Sequence, residues 1–138
     1  MGRTLEEKTL SFERHYTTEG IHPFNEHDYS TRSITITDKD KGVVFHEPEA
    51  VFPTSWSDNA AQITASKYFK QVVPVDGKER DVRRLISRVT GAIRAAGIRQ
   101  GIIQEDNADV FEEELCSILI NQRAAFNSPV WFNLGLHE

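Results

Sequence analysis

Residues 79–96 read ERDVRRLISRVTGAIRAA and carry a clear helical pattern. Apolar residues recur in steps of three and four, which places them on one face of a helix. This stripe consists of Val82, Leu85, Ile86, Val89, Ile93 and Ala96. Gly97 follows directly, and glycine is common immediately after the end of a helix. We therefore expect an amphipathic helix over 79–96 with this stripe in the core.

Two further helices are expected, one on each side of this one. The first has capping side chains at 57–59 and should end by Val73, because Pro74 follows. Its apolar positions are Ala61, Ala65, Tyr68, Phe69 and Val72. The third begins near Glu105 and ends before Pro129, and acidic residues crowd its first half, where the helix dipole favours them. Its apolar face consists of Ala108, Phe111, Leu115, Ile118 and Leu119.

The part of the chain before these helices predicts a β-hairpin. Residues 33–45 read SITITDKDKGVVF, in which alternating apolar and hydroxyl side chains lead into turn residues and a second apolar run. Pro48 and Pro53 bracket what we expect to be an extended linker. Residues 1–32 lack a sustained period and predict an irregular arm that packs on the rest. The predicted fold is mainly α, a small helical domain with a short hairpin near its start.

Composition limits the cellular context and the partners. The chain has 138 residues, a length that corresponds to one domain. Its formal net charge is −5. No apolar run approaches the roughly 18 residues that span a bilayer, and residues 1–8 lack the apolar stretch of a secretion signal. We therefore expect a soluble cytoplasmic protein with no membrane partner. The net negative charge makes general nucleic-acid binding an unfavoured alternative.

A basic row keeps that alternative open. Arg80, Arg84 and Arg88 follow one another at helical spacing in a segment with few acids. The simpler interpretation is a solvated helix face opposite the acidic half of the third helix. The alternative is a surface for phosphate or nucleic acid.

Few residues suggest catalysis or metal binding. Residues 22–27 hold two histidines and a glutamate, but their spacing in a proline-containing loop does not match a helical metal site, so we predict no metal. Cys116 is the single cysteine, which excludes an internal disulfide. It lies within the third helix beside several glutamates, where a thiolate is disfavoured, and we interpret it as a core or boundary residue.

The last informative segment is residues 123–135, RAAFNSPVWFNLG. It is apolar and aromatic, but Asn127, Ser128 and Asn133 interrupt it with side chains that can aim hydrogen bonds into a pocket. Considered alone, such a segment predicts a loop and a short buried strand.

This segment closely resembles part of the adenosylcobalamin (vitamin B12)-dependent, or class II, ribonucleotide reductases in their long bacterial version. The motif Asn-Ser-Pro-Val-Trp-Phe-Asn at 127–133 is the most specific part of the resemblance. Other stretches resemble the family in the same order, namely residues 10–14, 20–24, 55–69 and 79–86. The resemblance covers nearly the whole chain.

The resemblance implies an organisation and a reaction. Residues 1–54 would be an arm with the hairpin, 55–126 a helical N-terminal domain, and 127–138 the start of an α/β barrel that is otherwise missing. The family replaces the ribose 2′-hydroxyl by hydrogen through a cysteine thiyl radical, which adenosylcobalamin generates, and a cysteine pair supplies the electrons. In the family those cysteines follow the Asn-Ser-Pro motif, so we assign no catalytic residue here and expect this chain alone to be inactive.

Ser128 matches the family position that contacts the substrate nucleotide, and Asn127 and Asn133 are expected to support the backbone of the same loop. The implied partners are a ribonucleotide and the remaining barrel, on a companion or downstream polypeptide. Adenosylcobalamin would act in the complete enzyme without being bound by this segment alone. The alternative function is a non-catalytic interaction or regulatory module derived from the same domain.

Overall fold

The computed structural model describes residues 9–71 and 77–136. Within this part of the chain, an antiparallel hairpin is followed by four α-helices. The elements are β1 (Tyr29–Asp38), β2 (Gly42–Pro53), α1 (Asp58–Lys67), α2 (Val82–Arg99), α3 (Ala108–Ile120) and α4 (Ser128–Asn133). Short 3-10 turns, Pro23–Glu26 and Glu105–Asn107, precede β1 and α3. The expectation about a secretion signal concerns residues 1–8, which lie outside the described residues.

The prediction of a mainly α fold is wrong. The structure is 44% helical and 22% strand, a mixed α and β composition. The difference arises because the hairpin is longer than its sequence pattern indicates. Its strands run over Tyr29–Asp38 and Gly42–Pro53, so residues 48–53 form the second half of a strand instead of a linker.

An irregularity in the hairpin accommodates the proline that suggested a linker. Arg32 lies opposite Ala50, and the pairing then shifts, so that Pro48 and Glu49 face a single residue of β1. A bulge of this kind leaves a position without a ladder hydrogen bond, which suits a residue that lacks an N–H. The strand therefore continues beyond the proline and carries Ala50 and Phe52 into the core, where both are fully buried.

Helix α2 confirms the helix predicted from residues 79–96, although its limits are three residues later. Asp81 caps its start by accepting a hydrogen bond from the backbone N–H of Arg83 at 2.9 Å. The predicted apolar stripe faces inward, and its members Val82, Leu85, Ile86 and Val89 are buried.

Gly97 does not end α2, contrary to expectation. The chain turns instead at Gly101, whose φ of 71° lies in the left-handed region that glycine adopts readily. Gly97 has a packing role, because a Cβ atom there would overlap the side chain of Ile103. The loop after α2 can therefore fold back closely against the helix.

The other two predicted helices are present with adjusted limits. Helix α1 begins after Ser57, whose side chain accepts the N–H of Ala60 at 3.0 Å. It ends at Lys67, earlier than expected, and the predicted end at 72–73 lies outside the described residues. The third predicted helix corresponds to Glu105–Asn107 followed by α3, which ends at Ile120.

One core joins the hairpin to the first three helices. Phe52 of β2 stacks on Phe69 with ring centroids 5.4 Å apart and lies 5.6 Å from the ring of Trp56. Leu85 of α2 and Ile120 of α3 are also fully buried in this cluster. The hairpin is thus part of the core and not an appendage.

The N-terminal arm was expected to pack on the rest of the chain, and its described residues pack on the acidic side of α3. Arg14 pairs with Glu113 at 2.9 Å. Glu114 accepts the backbone N–H groups of residues 15–17 at 2.9 Å each, and also the hydroxyl of Thr17. Burial raises the pKa of Glu114, but these hydrogen bonds outweigh it and leave the pKa below its usual value. The acidic residues of α3 therefore anchor the arm.

Candidate functional site

The segment that carries the specific motif is a short helix. Residues Ser128–Asn133 form α4, so the expectation of a short buried strand is wrong. Pro129 lies in the first turn of the helix, where backbone N–H groups have no partner within the helix and a proline therefore removes no hydrogen bond. Trp131 is buried, and its indole N–H donates to the carbonyl of Phe126 at 2.8 Å. These features fold the segment back on itself.

Ser128 begins this helix and remains partly exposed. Its Oγ lies 3.1 Å from the hydroxyl of Tyr68, which follows the end of α1. The ring of Tyr68 packs against Trp131 and Phe132, with centroid distances of 6.2 and 5.6 Å. The structure therefore brings together two residues that are 60 positions apart in the chain.

The two asparagines have different surroundings. Asn133 donates from Nδ2 to the carbonyl of Pro129 at 3.0 Å, a contact within α4. Asn127 occupies the N-cap position, but its side chain makes no capping hydrogen bond. Its backbone carbonyl accepts the N–H of Val130 at 3.1 Å. The supporting role predicted for both side chains stays a prediction.

Arg88 fixes α4 to the core, a role that the sequence did not reveal. Its guanidinium donates to the carbonyls of Trp131 and Leu134, and the contact with Trp131 is 2.9 Å. It also pairs with Glu79 at 2.8 Å, and the two side chains are only 5% and 1% exposed. The sequence did contain a signal for this role, because Arg88 directly precedes Val89 of the buried stripe. Its helical spacing from Arg84 instead suggested a row of arginines on the surface.

The three arginines of the basic row do not share one environment. The side chain of Arg88 is only 5% exposed, whereas that of Arg80 is 52% exposed and lies 3.5 Å from the buried carboxylate of Glu47. Burial raises the pKa of Glu47, but hydrogen bonds from Lys78 and from the backbone N–H of Glu49, together with the charges of Lys78 and Arg80, outweigh it and lower the pKa. Arg94, outside this row, supplies the ion pair with Asp109 of α3 at 2.6 Å. Arg80 and Arg84 line one open depression with Lys78 and Asp81. For these two arginines both interpretations stay predictions, whereas neither describes Arg88.

A cavity of about 280 Å³ lies between α1, α2 and the chain leading to α4. Its lining is mostly apolar and includes Trp56, Tyr68, Leu85, Leu119 and Trp131. Tyr68 thus contacts both the cavity and Ser128.

The surroundings of Cys116 and His22 indicate structural roles for both residues. Cys116 is buried on α3, and burial raises the pKa of its thiol to about 12. A hydrogen bond with Thr90 opposes this effect, and the charges of Glu112 and Glu113 add to it. His22 caps the 3-10 turn Pro23–Glu26 by accepting the N–H of Phe24 at 3.1 Å.

The buried thiol gives a direct prediction. We expect iodoacetamide at pH 8 to modify Cys116 at least about 100-fold more slowly in the folded chain than in urea, because the reactive thiolate is scarce and covered. Mass spectrometry of timed samples measures both rates, and Cys116→Ser provides the unlabelled control. Rates within about tenfold of each other would contradict this picture of a thiol without redox function.

No helix within residues 9–71 and 77–136 has the length and apolar character needed to cross a bilayer.

Comparisons with known proteins agree with one another. The family described as class II vitamin B12-dependent ribonucleotide reductase matches residues 30–122, which contain the hairpin except its first residue and the helices α1 to α3. The vitamin B12-dependent ribonucleotide reductase of Streptomyces avermitilis is 39% identical over 130 residues, covering 93% of this chain and 14% of that protein. The protein of the same name from Rhodopirellula baltica is 37% identical over 121 residues, covering 86% and 12%.

A second Streptomyces relative, the vitamin B12-dependent ribonucleotide reductase of Streptomyces coelicolor, is 39% identical over 137 residues and covers 93% of this chain and 13% of its own. The chain thus spans between 12% and 14% of the length of these relatives. The family match covers about two thirds of the chain and includes most of its core. The chain therefore belongs to the class II vitamin B12-dependent ribonucleotide reductase family and corresponds to its N-terminal region.

Proposed function

We propose that this chain is the N-terminal part of an enzyme that converts ribonucleotides to deoxyribonucleotides for DNA synthesis by a thiyl-radical mechanism. Its own contribution is to place Ser128 in the nucleotide site. The observation that carries this proposal is the position of Ser128, at the start of α4, partly exposed and hydrogen-bonded to Tyr68 at 3.1 Å. A serine hydroxyl suits a ribose or phosphate oxygen because it donates a hydrogen bond without adding charge.

The chain alone is proposed to be inactive. Reduction of a ribonucleotide takes two electrons, which a cysteine pair supplies as it becomes a disulfide, and the radical step uses a further thiol. Cys116 is the single cysteine, and its burial and its pKa of about 12 oppose such chemistry. The redox residues therefore belong to the remaining barrel, the proposed protein partner. On this proposal residues 1–54 are the arm and hairpin, 55–126 the helical domain and 127–138 the start of the barrel.

We also place the adenosylcobalamin site outside this segment. The cavity beside Tyr68 has a volume of about 280 Å³, below the roughly 300 Å³ at which pockets for drug-sized ligands begin, and a corrinoid is larger than such ligands. The cavity beside Tyr68 thus does not fit the cofactor by itself. In the complete enzyme, the cofactor would be held by the remaining part and would supply radical chemistry there, while this segment would orient the substrate.

Ser128→Ala tests the proposed role in the assembled reductase. We expect KM for the ribonucleotide to rise about 10- to 100-fold, the effect of losing one hydrogen bond to a charged oxygen. Folding should change little, because the side chain is partly exposed and only the bond to Tyr68 is lost. Steady-state kinetics and the urea unfolding midpoint measure the two effects.

Ser87→Ala is a matched control, since Ser87 is exposed on α2 and its variant should keep the wild-type KM. Wild-type KM in Ser128→Ala would refute the assignment of Ser128. If the chain binds the remaining barrel but no nucleotide reduction results, the regulatory module replaces the split enzyme as the better description.

A further inference from the structure

Tyr68 and Ser128 form a contact that the proposed substrate role of Ser128 does not explain. Tyr68 stands at the C-terminal end of α1, and its backbone N–H donates to the carbonyl of Thr64 at 2.9 Å. Its hydroxyl lies 3.1 Å from Ser128 Oγ. The contact joins the end of one helix to the start of another, at the place where the substrate would approach.

The ring of Tyr68 is held in place independently of this hydrogen bond. It packs against Phe132 and Trp131 of α4, with centroid distances of 5.6 and 6.2 Å, and it lines the apolar cavity. The Lys70 Nζ atom lies 5.7 Å from the ring centroid of Phe132. The phenol oxygen therefore has a defined position relative to Ser128, even before a ligand is bound.

We propose that Tyr68 is a positioning residue for Ser128: its phenol donates to Ser128 Oγ and leaves the serine proton to donate to a phosphate oxygen of the ribonucleotide. This proposal rests on the proposed function and specifies the substrate atom that Ser128 contacts. The geometry allows either oxygen to be the donor. A phenol is the more acidic hydroxyl and hence the better donor, which favours donation from Tyr68.

The direction of the hydrogen bond matters for recognition. A serine hydroxyl rotates freely, but a phenol that occupies one of its lone pairs restricts where its hydrogen can point. Phosphate oxygens accept hydrogen bonds only, so the serine must act as the donor towards them. Donation from Tyr68 also polarises the serine O–H bond, because consecutive hydrogen bonds strengthen one another. Tyr68 therefore increases the affinity for an acceptor without contacting the substrate.

The test is Tyr68→Phe in the assembled reductase. The variant keeps the ring and its packing but loses the donor. We expect KM for the ribonucleotide to rise roughly 3- to 10-fold, the effect of one neutral hydrogen bond, while kcat stays within about twofold. In a Ser128→Ala background, the same change should leave KM unaltered, because Tyr68 acts through Ser128.

Tyr29→Phe is the matched control, since the hydroxyl of Tyr29 donates to the carbonyl of Phe24 at 2.6 Å, a contact that does not involve α4. We expect its unfolding midpoint to fall while KM stays at the wild-type value. A purely structural role for Tyr68 would give this same pattern, a lower midpoint with unchanged KM, and would overturn the inference.

The remaining outcomes separate this inference from the function on which it rests. If Ser128→Ala leaves KM unchanged, the substrate role of Ser128 fails, and the inference fails with it. If Ser128→Ala raises KM but Tyr68→Phe does not, the inference alone is overturned. An equal increase in KM for Tyr68→Phe with and without Ser128 would show that Tyr68 acts independently, which also contradicts it.

Discussion

Arg88→Ala is expected to lower the free energy of unfolding of this chain by about 3 to 5 kcal/mol. The substitution would leave the carboxylate of Glu79 buried without its ion-pair partner, at a site where that side chain is only 1% exposed. It would also remove the donor to the backbone carbonyls of Trp131 and Leu134. Unfolding in urea, followed by tryptophan fluorescence, measures the loss.

Two comparisons isolate the cause. Arg99→Ala removes an exposed arginine from the end of the same helix and should change stability by less than about 0.5 kcal/mol. The double variant Glu79→Gln/Arg88→Met removes both charges but keeps the Oε1 atom that accepts the N–H of Lys70. It should recover part of the loss, because an uncompensated buried charge costs more than the absence of the pair.

A change below about 1 kcal/mol for Arg88→Ala would contradict the view that the buried pair anchors α4. A double variant that is less stable than Arg88→Ala would also contradict this view. If the view holds, Arg88 links the helical core to the segment with Ser128, because its contacts with Trp131 and Leu134 fix the end of α4.

The helices were predictable because their apolar spacing is set by the same geometry that buries them. The stripe of α2 from Val82 to Val89 shows this directly. The full extent of the hairpin was not predictable, because Pro48 reads locally as a strand breaker. Only the pairing partner, through the bulge opposite Pro48 and Glu49, shows that the strand continues.

The candidate site likewise has a part that the sequence predicted and a part that it did not. The family motif pointed to Ser128, but no local pattern could pair it with Tyr68, since the contact depends on how α1 and α4 pack. Arg88 was misread for a physical reason. Its helical spacing from Arg80 and Arg84 matches a surface row, and the buried Glu79 that compensates its charge lies on the chain before α2.

Phe52→Ala is the other substitution with a large expected effect, a destabilisation of about 3 to 5 kcal/mol. Phe52 is fully buried, and its ring centroid lies 5.4 and 5.6 Å from those of Phe69 and Trp56. Truncation removes the apolar burial and leaves a cavity that the strand and helices can only partly close. The measurement is again urea unfolding of the chain.

Val44→Ala is the matched control on the same strand, since Val44 is 52% exposed near the turn and should change stability by less than about 0.5 kcal/mol. If the hairpin were an accessory to a helical domain, both variants would cost little, and the helices would unfold at the wild-type midpoint. A loss of several kcal/mol for Phe52 alone requires that strand β2 and the helices unfold together. The mixed α and β class then describes one cooperative unit, and the half of β2 beyond the bulge holds it together.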